Sequence, residues 1–414
     1  MPRELDHDLL PLEKVRETML SHIEPLPMED RPLEEAYGCV LREDCVARDS
    51  IPPFDNSAMD GFAVRVADLE DASDGDPVTL RIQGGLSAGD SGGVPLEGRA
   101  AIRIMTGAPV PPGAEAVVPH ELTRFDAASV TFSRTPRPGQ NIRRAGGDVR
   151  PGDIPLRAGV VLHGPQLAII ASLGSARVQV TRRPRVAIIS PGNELMEVEA
   201  LLGPGQIRNS NAYSLIGLLQ SAGVEPMNMG IVRDTKKDVL AAIEGAIGQG
   251  ADAIVSTGGV SAGDYDFVRT VVSEVASPGY VFKVAMRPGK PQVFGLFDGK
   301  PLFGLPGNPA ASIVSFEVFV RPALRRMRAE SVILDEPFGV RFPFTYTYKP
   351  GRVFLLRTRV EPDPAGGFRA VDPGEQDSSF LSSLASANAL ITLEADRDRV
   401  EKGDVKWARW IGGA

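Results

Sequence analysis

Three acidic residues follow predicted strands in the second half of the chain. Glu194 ends the segment SPGNE after the apolar run RVAIIS, Asp234 ends GIVRD, and Asp266 ends STGGVSAGDYD. The last segment also supplies Ser261 and Asp264, and its paired glycines permit close approach of the backbone to a ligand. Because carboxylate oxygens are the ligands that Mg²⁺ prefers, we predict that Glu194, Asp234 and Asp266 are catalytic groups that hold a metal.

Cations and a helix start occur in neighbouring loops. The segment KVAMRPGKP contains Lys283, Arg287 and Lys290, and GLPGNP ends with Asn308 and Pro309, which suit the N-cap and the first position of a helix. Free backbone N–H groups at that helix start would favour an anion. Each loop alone also fits an ordinary surface turn, but together they indicate a site for phosphate or another oxyanion beside a divalent metal.

The elements around these loops alternate between strand and helix from Arg185 onward. The apolar runs RVAIIS, EPMNMGIV and ADAIVSTGG predict strands, and SLIGLLQSAG and TKKDVLAAIEGAIGQG predict helices. This alternation is typical of βαβ units on a parallel sheet, whose ligands bind at the carboxyl edge of the strands. A hairpin at PQVFGLFDGKPLFGL and a long helix over residues 308–327 complete the predicted α/β domain.

The flanking regions have other patterns. Apolar residues at Leu12, Val15, Met19 and Ile23 predict an amphipathic helix over residues 9–26, followed by a short helix over 33–38. Short alternating runs predict a β-rich module and, after residue 332, a small β-barrel or sandwich. The expected fold is therefore multidomain, α/β plus β. Its predicted parts are a helical base and linker domain (1–52 and 148–183), an inserted β-rich module (53–147), a parallel-sheet α/β domain (184–331) and a C-terminal β-barrel (332–414).

Composition excludes several classes of protein. The formal net charge of −8 lacks the basic surplus of a non-specific nucleic-acid binder. The two cysteines, Cys39 and Cys45, indicate neither a disulfide framework nor a zinc site, and no targeting or membrane-spanning segment is visible. We therefore expect a cytoplasmic protein without nucleic-acid or membrane partners. Neither a P-loop nor a dinucleotide-binding glycine motif occurs.

Five ordered motifs resemble one enzyme family. They are DNSAMDGFAVR (residues 55–65), IMTGAPVPPGAEAVV, GQNIRRAGGDV, STGGVSAGDYDF, and KVAMRPGKP followed by GLPGNP. In this order they resemble the molybdopterin molybdenumtransferases, the bacterial enzymes related to the E domain of gephyrin. The resemblance implies an elongated homodimer whose α/β domain binds molybdopterin. It also implies a reaction in which adenylylated molybdopterin and molybdate, with Mg²⁺, give the molybdenum cofactor and AMP.

The resemblance also implies a cleft that is shared between subunits. One subunit would contribute Asp60, Thr106, Arg143 and Asp148 from its β module, with Asp60 and Thr106 catalytic. The α/β domain of the other would contribute Glu194, Asp234, Asp266, Lys283, Arg287, Lys290, Pro306 and Pro309. Ser378, and less directly Arg352, would close the cleft from the C-terminal barrel. The adenylylated substrate would come from a separate molybdopterin adenylyltransferase.

Two departures from the family pattern and two rival functions remain open. Some relatives have lysine where this chain has Arg287, and others have serine where it has Ala311, so that a hydroxyl contact would be absent or supplied by Ser312. The rivals are a non-catalytic scaffold of the gephyrin type and a pterin- or nucleotide-processing hydrolase. Intact Asp60, Asp234 and Asp266 favour an enzyme over the scaffold, and the full-length resemblance disfavours the hydrolase.

Overall fold

The computed structural model describes residues 9–260 and 266–412. The chain forms two compact units. The first consists of the segments up to Arg42, Ala158–Leu162 and Val178 onward, and the second of Glu43–Arg157 and His163–Arg177. Ser261, a predicted site residue, lies outside the described residues, as does Asp264. None of the described helices is both long enough and apolar enough to cross a membrane.

A six-stranded sheet forms the centre of the first unit. Its strands, in spatial order, are Glu225–Val232, Arg185–Pro191, Ala253–Thr257, Lys300–Leu305, Pro291–Phe297 and Gly279–Lys283. The first four are parallel, whereas Pro291–Phe297 runs antiparallel to both of its neighbours. The sheet is therefore mixed, which corrects the prediction of a parallel sheet. The reason is the predicted hairpin, because its Asp298-Gly299 turn, with both φ angles positive, reverses the chain.

Helices cover both faces of this sheet. Alternation along Arg185–Pro191 sends Val186 and Ile188 into one apolar cluster and Ala187 and Ile189 into the other. The helices on the first face are Leu12–Leu20, Ser210–Ser221 and the run Pro309–Met327, which contains a π-helical segment at Phe316–Val320. Those on the second face are Lys236–Gly248 and Phe267–Val275. The two apolar layers hold the strand ends, and hence the loops after them, in fixed positions.

The N-terminal helices are shorter than predicted. The first helix ends at Leu20 rather than near residue 26, and a 3₁₀ turn at Leu33–Glu35 replaces the second. The apolar stripe is nevertheless buried as predicted, because the chain beyond Leu20 turns and still directs Ile23 into the core. Three short strands pair in a small sheet next to these elements: Met28–Pro32, Arg177–Thr181 and Val40–Leu41.

The C-terminal region is a seven-stranded sheet around its own aromatic core. In spatial order its strands are Met286–Arg287, Val353–Thr358, Ala389–Leu393, Val405–Trp410, Phe338–Arg341, Phe368–Ala370 and Val360–Pro362. A two-stranded ribbon (Tyr346–Thr347 and Arg399–Val400) and the short helix Ser382–Ala385 complete it. The pairing order has two ends, so this is a curled open sheet and not the predicted closed barrel. One edge of this sheet is Met286–Arg287, which belongs in sequence to the α/β region.

The second unit is the β-rich module with its flanking segments. Its main sheet has the strand order Ala116–Pro119, Gly61–Val64, Ala100–Ile104, Val78–Leu86, Ser129–Phe132 and Thr123–Phe125. A smaller pair joins Asn56–Ser57 to Ile142–Arg143. Short 3₁₀ turns occur at Val66–Leu69 and His120–Leu122, and one helix spans Gly164–Ser172. Two apolar clusters, one on each side of the main sheet, form its core.

Candidate active site

A pocket of about 590 Å³ opens at the carboxyl edge of the six-stranded sheet. It is lined by residues from the loops that follow Arg185–Pro191, Glu225–Val232, Ala253–Thr257 and Lys300–Leu305. These four strands are parallel neighbours, so their ends lie side by side. The pocket therefore occupies the place where open α/β sheets bind their ligands.

The three predicted carboxylates line this pocket together. Glu194 is exposed, whereas Asp234 and Asp266 are half-buried. Burial raises the pKa of Asp234, and the negative charges of Glu194 and Asp266 raise it further. In addition, Oδ1 of Asp234 is buried and accepts no hydrogen bond from residues 9–260 or 266–412. An unpartnered buried carboxylate oxygen beside two more acids costs free energy unless a cation is bound.

The carboxylates do not form a complete metal cage by themselves. Within residues 9–260 and 266–412, no three His, Cys, Asp or Glu side chains are grouped closely enough to hold a metal ion. Mg²⁺ is commonly bound through one or two carboxylates together with water and substrate phosphate oxygens. Asp234, with Glu194 and Asp266 nearby, fits a cation of that kind. The three-carboxylate ligand set of Glu194, Asp234 and Asp266 therefore stays a prediction.

Three cations line the pocket, but they are not the three in the KVAMRPGKP segment. Arg287 and Lys290 do line it, whereas Lys283 does not, and Arg352 from the C-terminal region takes the third place. The backbone of Arg287 pairs with Phe354 of the C-terminal sheet, and its guanidinium lies 5.8 Å from the centroid of the Phe354 ring. Lys283 ends the outermost strand of the six-stranded sheet, where its side chain is exposed.

The predicted helix start is also present, but its polar groups make other hydrogen bonds than those expected. Pro306 and Asn308 line the pocket, whereas Pro309, at the first helical position, does not. Asn308 is the N-cap residue, but its side chain does not cap the helix and instead donates to Oγ of Ser378, at 3.1 Å. The backbone N–H of Ala310 donates to the Ser378 carbonyl oxygen, also at 3.1 Å. This backbone amide was expected to be free to bind an anion. It is instead hydrogen-bonded to the C-terminal region.

Glycines bring the backbone itself to the pocket. Gly258 and Gly259 have φ values of +95° and +68°, conformations that side chains disfavour, and a Cβ on Gly259 would lie 2.9 Å from a methyl group of Val268. Both glycines line the pocket. The predicted close approach of this loop to a ligand therefore has a structural basis.

The remaining predicted residues lie in the second unit. Oδ1 of Asp60 accepts two hydrogen bonds from Thr106, one from the backbone N–H and one from the hydroxyl, both at 2.7 Å. These bonds lower the pKa of Asp60 and keep its carboxylate ionised. Arg143 and Asp148 are exposed, and Arg143 pairs through its backbone with Asn56. The structure thus joins Asp60 to Thr106 by hydrogen bonds, and Arg143 and Asp148 lie in the same unit.

Comparison with known proteins finds matches along most of the chain. Residues 10–174 match the MoeA N-terminal region (domains I and II), residues 187–326 a probable molybdopterin binding domain, and residues 340–406 the MoeA C-terminal region (domain IV). The molybdopterin molybdenumtransferase of Haemophilus influenzae is 34% identical over 399 residues, covering 96% of this chain and 97% of the relative. Molybdopterin molybdenumtransferase 2 of Mycobacterium tuberculosis is 38% identical, with coverages of 90% and 92%. This chain belongs to the molybdopterin molybdenumtransferase family.

Solved structures agree with this assignment. The molybdopterin biosynthesis MoeA protein from Pyrococcus horikoshii matches with a TM-score of 0.78 at 29% identity, covering 98% of this chain and all of that one. A second structure of MoeA from the same organism gives a TM-score of 0.79 at 27% identity. Members of the family therefore share this multidomain α/β plus β fold with curled sheets.

Several pocket residues were not among the predicted site residues. Gln376 and Asp377 line the pocket beside the predicted Ser378, and Met286 contributes an apolar wall. The segment EQDSS offered one signal, since Asp followed by Ser favours a local turn. Asp377 indeed accepts from the backbone N–H and hydroxyl of Ser379, at 2.8 and 2.6 Å, which lowers the pKa of Asp377.

The departure from the family pattern at Ala311 can be compared with the position of Ser312 in the structure. Ala311 lines the pocket, whereas Ser312 is fully buried and is not among the lining residues. The Ser312 hydroxyl also has no hydrogen-bond partner within the described part of the chain. Ser312 therefore does not replace a hydroxyl at position 311.

Proposed function

We propose that this chain inserts molybdate into adenylylated molybdopterin, with release of the molybdenum cofactor and AMP. The observation that carries the proposal is the charge of the pocket in the α/β domain. Its acidic lining residues are Glu194, Asp234 and Asp266, and its basic lining residues are Arg287, Lys290 and Arg352. The match of residues 187–326 to a probable molybdopterin binding domain supports the pterin substrate. The names of relatives that span nearly the full chain support the reaction.

In this reaction the main role of the protein is to position charged substrates. Arg287, Lys290 and Arg352 supply the positive charge that binds phosphate and molybdate oxygens. Gly258 and Gly259 let the backbone approach the bound pterin. Water adds to the phosphoanhydride, which frees AMP and leaves the phosphate on the pterin. The two dithiolene thiols bind molybdenum, and one molybdate oxygen leaves as water with the two thiol protons. Fixed charges around the reacting groups would lower the barrier without reorganising during the reaction.

A divalent cation fits the acidic side of the pocket. Asp234, whose Oδ1 has no hydrogen-bond partner in the described part of the chain, and the neighbouring Glu194 and Asp266 would hold Mg²⁺. When bound, Mg²⁺ would neutralise the negative charge of the phosphoanhydride. The protein's own contribution is to hold these carboxylates close together at the edge of the sheet.

The biological setting forms part of the same proposal. The functional molecule is a homodimer in the cytoplasm, with four domains per chain divided as predicted from the sequence. Its substrate comes from a separate enzyme that adenylylates molybdopterin. Two unpaired cysteines, Cys39 and Cys45, suit a reducing compartment.

Incubation with adenylylated molybdopterin, Mg²⁺ and molybdate tests the proposal. AMP release that depends on the enzyme, together with active cofactor, is the expected result. Reconstitution of a cofactor-free molybdoenzyme measures the second product. A scaffold would bind the pterin but yield neither product, and a hydrolase would release AMP without forming the cofactor, so either result would overturn the proposal.

A further inference from the structure

The pocket cation Lys290 follows a short buried loop. Pro288 and Gly289, here called the tip, directly precede it; both are buried, whereas Lys290 is exposed, and all three residues line the pocket. The tip packs closely on the helix Pro309–Ser315, because a Cβ on Gly289 would lie 2.8 Å from the hydroxyl oxygen of Ser315. The backbone of the tip therefore determines where the Lys290 side chain enters the pocket.

Two hydrogen bonds fix the peptide groups on either side of Lys290. Before it, Nε2 of Gln292 donates to the carbonyl oxygen of Gly289 at 2.8 Å. This carbonyl belongs to the planar peptide group that joins Gly289 to Lys290, so the bond sets the orientation of the whole group. After it, the carbonyl oxygen of Lys290 accepts from the backbone N–H of Val284 at 2.7 Å. The Cα atom of Lys290 is thus held from both sides, and with it the direction of the side chain.

Gln292 is an unexpected residue in the core of the six-stranded sheet. It is only 1% exposed, in the strand Pro291–Phe297, and its strand neighbours Val293 and Phe294 are fully buried. Its Nε2 also donates to Oγ of Ser315 at 2.6 Å, but its Oε1 has no hydrogen-bond partner among the described residues. A buried amide oxygen without a partner costs free energy, so an apolar side chain would suit the strand. Stability of the sheet alone therefore does not explain a glutamine here.

We propose that Gln292 is a positioning residue, which holds the Gly289 carbonyl so that Lys290 points toward the bound oxyanion. Gln292 does not line the pocket and acts through the tip. The role in molybdate use rests on the proposed function, whereas the hold on the tip does not. Loss of the side-chain amide should loosen the tip and weaken molybdate use while every pocket-lining side chain is retained.

The test compares Gln292→Met with the matched control Ser315→Ala. Methionine is close to glutamine in length but donates no hydrogen bond, whereas Ser315→Ala removes the other acceptor of Nε2 and leaves the bond to Gly289. Hydrogen–deuterium exchange of the peptide spanning residues 283–291 measures the loop, since this peptide contains the Val284 N–H that donates to Lys290. We expect about tenfold faster exchange in Gln292→Met and wild-type exchange in Ser315→Ala. Gln292→Leu replaces Gln292→Met if the latter does not fold.

Kinetics show whether Gln292 acts through Lys290. In Gln292→Met the KM for molybdate should rise about fivefold while kcat changes less than about twofold. In Ser315→Ala both values should stay near those of the wild type. Lys290→Ala provides the background for a double-mutant cycle. There Gln292→Met should raise the KM for molybdate less than about twofold, because the side chain that it positions is already absent.

Three results would overturn the positioning role. The first is unchanged exchange of the loop in Gln292→Met, or in Gln292→Leu where the methionine variant does not fold. The second is faster exchange with an unchanged KM for molybdate in an active enzyme. The third is an equal rise of this KM in the Lys290→Ala background, or an equal effect of Ser315→Ala. If the wild-type chain forms no cofactor, the proposed function fails, and the exchange measurement still decides whether Gln292 holds the tip.

Discussion

At the scale of single residues, Asp234 shows how a site can conflict with stability. It is half-buried, and one of its oxygens has no hydrogen-bond partner among the described residues. Burial raises its pKa, and two other carboxylates raise it further. An acid whose pKa is raised by folding stabilises the folded state only at low pH, where it is protonated. That contribution is lost as the pH rises through the pKa of the folded state. At neutral pH the charged Asp234 therefore destabilises the fold.

Replacement of Asp234 by Asn should consequently stabilise the protein at neutral pH. We expect the midpoint of thermal unfolding to rise by about 2 °C at pH 7. The difference from wild type should shrink as the pH falls and vanish below the ordinary pKa of an aspartate, about 3.9, where Asp234 is protonated in both the folded and the unfolded state. Scanning calorimetry at both pH values checks this, with Glu244→Gln on an exposed helix position as the control. A variant that is less stable than wild type at pH 7 would contradict the electrostatic explanation.

Lys290 and Lys283 form a matched pair for testing the oxyanion site. Both are exposed lysines of the same segment, but only Lys290 lines the pocket. Lys290→Ala should raise the apparent molybdate requirement about tenfold, because one cation beside the oxyanion is lost. Lys283→Ala should leave it unchanged. Steady-state rates at varied molybdate concentration give both values, and equal effects of the two substitutions would remove Lys290 from the site.

At the scale of elements, strand pairing in the β module positions Asp60. The residue precedes the strand Gly61–Val64, and its carbonyl oxygen accepts from the backbone N–H of His120 at 3.1 Å. A Cβ on Gly61 would overlap the carbonyl group of Val118 in the adjacent strand and lie 2.9 Å from Cα of Pro119. Only glycine allows these strands to approach at this point.

Gly61→Ala should therefore force the two strands apart and displace Asp60. The expected loss of stability is about 1–3 kcal/mol, the usual range for overpacking. Turnover should fall with it if Asp60 is catalytic. Gly84→Ala, in the strand Val78–Leu86 of the same sheet, is the control because nothing lies within 4 Å of the added methyl group. The midpoints of thermal unfolding of both variants test this prediction. Equal midpoints would show that the strands tolerate the methyl group.

At the scale of the whole molecule, the candidate residues are divided between two units. Asp60, Thr106, Arg143 and Asp148 lie in the second unit, whereas the pocket lies in the first. A homodimer that builds each cleft from the second unit of one subunit and the first unit of its partner would use both sets. Symmetric dimers commonly build shared sites in this way.

Mixing of two inactive variants tests this arrangement. In a mixed dimer of Asp60→Ala and Asp266→Asn subunits, one cleft carries both substitutions and the other carries neither. Random exchange of subunits should therefore restore about a quarter of wild-type turnover, since half of the dimers are mixed and each has one intact cleft. Each variant alone should be nearly inactive. No recovery after exchange, or a monomeric mass by light scattering, would contradict the shared cleft.

The sequence by itself determined which loops could form a site in the α/β domain. Strands that alternate with helices place their carboxyl ends at one edge, so the order of the elements was enough to group Glu194, Asp234 and Lys290. The apolar residues that each helix buries were also predictable, because their spacing follows the helix period. These features depend on local periodicity, which a single sequence records.

Only the tertiary structure decided how distant segments meet. It excluded Lys283 from the pocket and placed Arg352, which the family resemblance had implied, among the pocket-lining cations. It paired Arg287 with the C-terminal sheet, and it brought Ser378 to Asn308 across 70 residues of sequence. Such contacts follow from packing between domains, and no local pattern in the chain encodes them.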